Sequence, residues 1–283
     1  MKQELIAVTG AGGFIGGALI AEFRRQGYTN LRAIDIKPLD EWYLHFDDVE
    51  NLSLDLNLKQ NCDRAASGAR QTYNPAANMS GMGFIENNKA LCMLSVLINA
   101  HKLRAALQQG VWRFFYSSSA SVYNGDRQRD GPNGTWDGGR EKAPAAVCRK
   151  VIQAKLAGKH EISIWGTGNQ TRSFMYIDDC TKGIQLITDS DILEPINLGS
   201  SEMVTINQLV DIVEDIAGVK LKRTYDLTAP KGVAGRNSDN TLIKKYLNWE
   251  PSLPLRTGME RTYAWIYDQY VAREKGLLAA GVR

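Results

Sequence analysis

Residues Thr9-Gly10-Ala11-Gly12-Gly13-Phe14-Ile15-Gly16 join an apolar, strand-type run, Leu5-Ile6-Ala7-Val8, to a helical stripe. The stripe contains Phe14, Ile15, Ala18, Leu19, Ala21, Glu22 and Phe23 and runs to Gly27. A glycine turn in this position lets backbone approach a pyrophosphate closely and aims the positive end of the helix dipole at it. The next apolar run, Leu31-Arg32-Ala33-Ile34, ends at Asp35, where a carboxylate would accept hydrogen bonds from a ribose diol. Glycines alone would mark only a tight turn. Strand, glycines, helix and acid in register predict a dinucleotide site made of Gly10, Gly13, Phe14, Ile15, Gly16 and Asp35. The acid argues for NAD over NADP.

Strand and helix signals alternate through the first half, which predicts an α/β fold with a parallel sheet covered on both faces. A helix is expected from about Asn87 to Gln109 with Leu91, Leu94, Ser95, Ile98, Leu103 and Leu107 on it, followed by a strand from Trp112 to Tyr116. Ser117-Ser118-Ser119-Ala120-Ser121 then falls at that strand's carboxyl end, where ligands bind in open α/β sheets. Further on, Ile162-Ser163-Ile164-Trp165 reads as a strand and Tyr176 to Thr188 mainly as a helix; Pro195-Ile196-Asn197-Leu198-Gly199 reads as a strand and turn. Thr205-Ile206-Asn207-Gln208 is a capping box, and a last helix from Thr257 to Glu274 carries Tyr263, Ile266, Tyr267 and Tyr270 as a core stripe. One expected strand reads badly. Ala69-Arg70-Gln71-Thr72-Tyr73-Asn74-Pro75 is too polar for a central parallel strand, and Pro75 removes a ladder donor.

With 34 basic and 31 acidic residues interspersed, the chain has no charge bias that would select nucleic acid or a membrane surface. It has no apolar run of membrane-spanning length, and Met1-Lys2-Gln3-Glu4 lacks a secretory pattern, so a cytoplasmic protein is expected. Cys62, Cys92, Cys148 and Cys180, like His45, His101 and His160, are scattered without metal-ligand spacing, which predicts free thiols and no metal.

The Thr-Gly-x-x-Gly-x-x-Gly turn, Asp35, Asp55, Asn74-x-Ala76-Ala77 and the serine-rich strand end together resemble the extended short-chain dehydrogenase/reductase family. Within it, Met79 to Ile85, Gly138 to Ala146, Gln170 to Phe174 and Gly235 to Asn240 are similar to the GDP-mannose 3,5-epimerase group. The resemblance implies a Rossmann-type doubly wound sheet over 1–123 and 174–200, and a smaller nucleotide-sugar-binding part over 131–173 and 201–283. It implies NAD as cofactor, a GDP-sugar as substrate and a possible homodimer. It also implies a cycle in which NAD+ oxidises the sugar at C4 and the ketone acidifies C3 and C5. A Cys and Lys pair then moves those protons, and C4 is reduced again. In the family the C4 base is a Tyr followed four residues later by a Lys that lowers the phenol's pKa from about 10.

Carried over residue by residue, the resemblance makes Lys142 the acid/base lysine, with a surface lysine as the plainer alternative. Arg172 and Arg236 would hold the diphosphate, unless they are ordinary salt-bridge partners. Gly81, Gly83, Ser119, Ala120, Glu141, Ala143, Lys150 and Gln170 would line the sugar-nucleotide site, and Ala76 the cofactor site. Asp55 would approach the adenine end of NAD or cap a helix.

Two departures bear on turnover. No tyrosine here is followed by lysine at the fourth position, although Tyr123 with Arg127 formally approaches the pattern. Only Asn124 to Gly131 separate Tyr123 from Pro132, whereas a strand-helix-strand crossover takes roughly 30 or more residues, so one crossover is missing. Ser121 replaces the family's catalytic Cys, and a serine hydroxyl ionises far less readily than a thiol of pKa ~8.5. Three outcomes stay open: a nucleotide-sugar epimerase with impaired activity, a non-catalytic binder of NAD or nucleotide sugar, and a truncated chain that folds poorly.

Overall fold

A computed structural model describes residues 2–77, 87–118, 128–138, 141–229, 234, 235 and 237–276. The described residues fall into two compact units. One is drawn from Met1–Met79, Ile85–Ser118 and Ile184–Asp191, the other from Ser80–Phe84, Ser119–Gly183 and Ile192–Arg283.

The first unit is built on five parallel strands, β1 (Ile6–Thr9), β2 (Leu31–Asp35), β3 (Glu50–Ser53), β4 (Gln71–Asn74) and β5 (Arg113–Tyr116), in the order β3-β2-β1-β4-β5. Helices α1 (Phe14–Arg25), α2 (Lys59–Ala66) and α3 (Lys89–Gln108) follow β1, β3 and β4. The expected α/β fold with a parallel sheet is therefore present. On one side of the sheet, Ala7, Ile34, Cys62, Ala65, Ala66, Ile98 and Ala105 form a continuous core between strands, α2 and α3.

Two local expectations are corrected. The polar stretch at Gln71–Asn74 does form a strand, and it sits inside the sheet between β1 and β5. Thr72, Tyr73 and Asn74 are all buried, the Tyr73 ring packs on Phe23 and Phe115, and Pro75 comes one residue after the last ladder pair, Asn74 with Tyr116. The helix expected here is present as α3; on it Ile98, Lys102, Ala105 and Ala106 are buried, while Leu91, Leu94, Leu103 and Leu107 are exposed. By length and composition α3 is also the one described helix apolar enough to cross a membrane, although it carries Lys89, His101, Lys102 and Arg104. Finally, Pro195 to Gly199 adopt no regular structure.

In the second unit β6 (Gln128–Asp130), β8 (Thr171–Tyr176) and β9 (Met203–Thr205) make one small sheet, and β7 (Glu161–Trp165) pairs in parallel with β10 (Lys222–Asp226) in another. Thus the first strand after β5 joins β8, and among the described residues the five-stranded sheet ends at β5. Helices α4 (Ala143–Leu156), α6 (Ile206–Ala217), α7 (Thr241–Leu247) and α8 (Leu255–Glu274) belong here, while α5 (Ile177–Asp189) begins in this unit and ends in the first. The core joins Trp136, Val151, Ile152, Ile164, Phe174, Leu209, Val213, Met259, Tyr263 and Ile266, and Tyr267 and Tyr270 pack on it as expected.

α6 starts at the predicted capping box: Thr205 Oγ1 accepts from the Gln208 amide at 3.0 Å and Gln208 Oε1 from the Thr205 amide at 2.8 Å. Thr205→Ala is expected to cost about 1 kcal/mol of stability, read from urea unfolding curves. The four cysteines form no disulfide, and the described residues hold no group of three or more His, Cys, Asp or Glu side chains placed to bind a metal.

Candidate functional site

In the first unit, the carboxyl ends of β1, β2 and β4 meet at the glycine turn. Gly10 has φ of +69°, and a Cβ there would lie 3.0 Å from the Ala76 Cα, so backbone passes backbone with no room for a side chain. At Gly16 a Cβ would run into the carbonyl of Gly10, which explains how α1 starts so close beneath the turn. Gly13 is the N-cap of α1. No side chain caps the helix and no acid occupies its first turn, so its leading N–H groups remain free for an anion.

Asp35 is buried at the end of β2 and grips this turn. Its Oδ2 accepts from the Gly12 amide at 3.1 Å and its Oδ1 from the Lys37 amide at 3.1 Å. Residues that sequence reading did not single out complete the rim. The Trp42 indole is buried against Gly12 and donates to the Lys37 carbonyl at 3.1 Å, while Lys37 Nζ donates to the Gly12 carbonyl at 3.3 Å. Thr9 Oγ1 and Asn74 Oδ1 are 2.6 Å apart, Asn74 Nδ2 donates to Asn99 Oδ1 at 2.9 Å, and Asn99 Nδ2 to the Tyr116 hydroxyl at 3.2 Å. This chain of polar groups crosses the carboxyl ends of β1, β4 and β5, where an open α/β sheet binds ligands. A polar residue closing each of three strands was the available signal. Asp55 Oδ1 accepts from the Asn57 amide at 2.9 Å and its carbonyl from Asn61, so it organises the turn into α2.

The glycine turn fits a dinucleotide. A Cβ at Gly10 would press on the Ala76 backbone and one at Gly16 on the Gly10 carbonyl, so only glycine permits this close turn; the helix N-terminus is uncapped, and a carboxylate closes the adjacent strand.

In the second unit, Lys142 is the N-cap of α4 with extended backbone, and Ala143 opens the helix. Glu141 just before it accepts from Arg149 Nη2 at 2.7 Å. Lys150, two turns into α4, donates from Nζ to the Ser163 carbonyl at 2.8 Å and lies 5.9 Å from the centre of the Trp165 ring. Burial, reinforced by Arg149, holds its ammonium below the ordinary lysine value, against the pull of Glu141 and Asp226. Gln170 Nε2 donates to the Trp165 carbonyl at 2.7 Å, so Lys150 and Gln170 converge on one half-exposed tryptophan. Arg172 is buried on β8 and donates to the Thr171 carbonyl at 2.7 Å. Gly81, Gly83, Ser119, Ala120, Ser121 and Arg236 lie outside the described residues.

A profile of the NAD dependent epimerase/dehydratase family matches residues 6–139 and 130–199. The chain belongs to that family.

The family match comes in two pieces that meet at 130–139, beside the stretch too short for a crossover. Among curated relatives, the chain is 35% identical to GDP-mannose 3,5-epimerase 1 of Oryza sativa subsp. japonica, over 95% of this chain and 83% of the relative. It is 34% identical to GDP-mannose 3,5-epimerase of Arabidopsis thaliana, covering 95% of this chain and 84% of that one. The first alignment spans 325 positions, more than the 283 residues present here, so the relative has positions without a counterpart in this chain. Among solved structures, UDP-glucose 4-epimerase of Thermotoga maritima superposes with a TM-score of 0.82 at 18% identity, covering 94% of this chain and 99% of that one. UDP-glucuronic acid 4-epimerase of Bacillus cereus, solved with UDP-glucuronic acid and NAD, gives 0.79 at 20% identity, covering 94% and 100%. These neighbours establish the Rossmann-type epimerase fold.

Proposed function

We propose that the protein is a nucleotide-sugar epimerase of the GDP-mannose 3,5-epimerase type by descent, which keeps NAD and GDP-sugar binding and is impaired in turnover. The observation that carries this reading is the glycine cradle clamped by Asp35 in a chain without a Tyr-x-x-x-Lys pair. The near full-length similarity to GDP-mannose 3,5-epimerases supports the substrate class. A cytoplasmic location and a homodimer belong to the same reading.

Bound NAD+ would supply a hydride acceptor for C4 of the sugar. Gly10, Gly13, Phe14, Ile15 and Gly16 hold its pyrophosphate by backbone, Asp35 its ribose and Ala76 the wall beside Gly10. Asp55 borders the adenine end. On the substrate side, Arg172 and Arg236 neutralise the diphosphate, and Gly81, Gly83, Ser119, Ala120, Glu141, Ala143, Lys150 and Gln170 line the site. Lys142 keeps the capacity to move a proton at C3 or C5, but its partner is Ser121, a weak acid and base. With no lysine-activated phenol to take the C4 hydroxyl proton, the oxidation that starts the cycle has no base.

A second reading, a binder of NAD or nucleotide sugar without any turnover, rests on the same missing pair. Incubation with GDP-mannose and NAD in heavy water separates the two, with calorimetry run alongside. Saturable binding of NAD and of GDP-mannose is expected, with deuterium at C3 or C5 accumulating orders of magnitude below the rate of an intact epimerase. Complete absence of deuterium favours the binder, and rapid incorporation overturns the impairment. No heat at millimolar NAD overturns the cradle.

A further inference from the structure

We propose that Arg149 is a positioning residue that aims Lys142 at the sugar of the nucleotide-sugar substrate. The inference deepens the reading of Lys142 given above and rests on it. Lys142 stands between α4 and the segment from Trp136 to Glu141. On the helix side its carbonyl accepts from the Ala146 amide at 2.9 Å, and Pro144 is buried in the first turn. On the other side, Trp136, Asp137, Gly138 and Glu141 belong to no helix or strand. Side chains therefore have to hold that segment in place, and Arg149 on α4 supplies most of the contacts.

All three nitrogens of the Arg149 guanidinium are engaged. Nε donates to the Trp136 carbonyl at 3.1 Å and lies 3.4 Å from Asp137 Oδ1. Nη2 donates to Glu141 Oε1 at 2.7 Å, and Nη1 to Gln153 Oε1 at 3.2 Å. Three of these four acceptors belong to the segment, two at its start and one at its end, so one planar fork closes it into a loop. The Arg149 and Glu141 side chains are only 17% and 8% exposed, which shields their attraction from water. A second guanidinium secures the start: Arg273, in the last turn of α8, donates to Asp137 Oδ2 at 2.9 Å and lies 4.4 Å from the centre of the Trp136 ring. Burial pushes the Asp137 carboxyl up, but the Arg273 hydrogen bond, the Gly138 amide and the charge of Arg149 outweigh it and hold the group below its ordinary value. Glu141 is thus fixed through its side chain, and Lys142, the next residue, sets out with extended backbone from a defined point.

The test is calorimetric titration of the wild type, Arg149→Gln, Lys142→Met and the double variant with GDP-mannose, GDP and NAD. GDP probes the diphosphate contacts without the sugar, and NAD probes the separate cradle. Arg149→Gln is expected to weaken GDP-mannose by about tenfold and to leave GDP and NAD within about twofold, because only the sugar meets Lys142. Lys142→Met should show a similar selective loss. The double variant should stay within about twofold of the weaker single variant, since one residue acts through the other. A merely structural role for Arg149 would weaken GDP and GDP-mannose alike, or would multiply with Lys142→Met to about a hundredfold, and either result overturns the inference. Should Arg149→Gln fail to fold, Asp137→Asn is the milder change at a part-buried carboxylate. A loss of about threefold confined to GDP-mannose is expected there, and an unchanged GDP-mannose affinity overturns the inference. A wild type that does not bind GDP-mannose, or a Lys142→Met variant that binds it normally, overturns the reading of the substrate site instead.

Discussion

Lys102→Met is expected to raise the melting temperature by several degrees at pH 7, and the gain should shrink as the pH is raised to 10. Lys102 is fully buried on α3, and its Nζ has no hydrogen-bond partner among the described residues. Burial first, and Arg32 second, push its ammonium down to about 8, against the opposing influence of the Cys62 thiol. Cys62, also buried, is itself held up at about 11 and so stays protonated near neutrality. Below pH 8 the lysine is charged in both the folded and unfolded chain, and folding carries the whole cost of burying that charge. Between pH 8 and the ordinary lysine value the folded chain gives up the proton while the unfolded chain keeps it, so this group's contribution to stability rises with pH. The difference between about 8 and 10.5 corresponds to about 3 kcal/mol. Methionine has similar volume and no charge, so the replacement removes that cost without opening a cavity. Because Cys62 and the buried tyrosines titrate in the opposite sense in the same range, the quantity to measure is the difference between variant and wild type. A gain that is absent at pH 7, or equal at pH 7 and pH 10, would show that the buried ammonium is not a burden.

The second large effect is expected at Gly16→Ala, which should weaken NAD binding by about 100-fold or more and lower stability by roughly 1–3 kcal/mol. The new methyl group meets the Gly10 carbonyl carbon at 2.6 Å and the Ala11 Cα at 2.8 Å, besides the Gly10 oxygen. All of these are backbone, so no rotamer change relieves the contact. Either α1 backs away from β1 or the Gly10 turn opens, and each movement takes the helix N–H groups off the position where a pyrophosphate would meet them. Calorimetry with NAD, together with thermal unfolding without it, separates loss of the cradle from loss of the fold. A variant that folds and binds NAD within a few-fold of wild type would refute the role given to Gly16.

The cofactor cradle was legible because its parts are contiguous: glycines, helix and acid follow one another within one strand-helix-strand unit. The capping box of α6 was legible for the same reason. β4 was not, since its stability comes from neighbours on both sides and from the buried Tyr73 ring, neither of which a run of polar letters conveys. Helical spacing on α3 told which residues share a face, but not whether anything covers them, and Leu91, Leu94, Leu103 and Leu107 are uncovered. The Thr9-Asn74-Asn99-Tyr116 relay escaped notice because its members come from four separate elements and meet only in the folded sheet. Lys37 and Trp42 escaped because a loop after a strand carries no periodic signal.

Among the described residues, the contacts that fix the glycine turn arise within the first unit: Asp35 on Gly12, Ala76 against Gly10, Asn74 on Thr9 and Trp42 on the Lys37 backbone. None passes through the stretch after Tyr123, which is too short for a strand-helix-strand crossover. Such a scaffold separates heredity of recognition from heredity of reaction. A lineage can drop the catalytic segment in one genetic event without disturbing a single anchor of the turn.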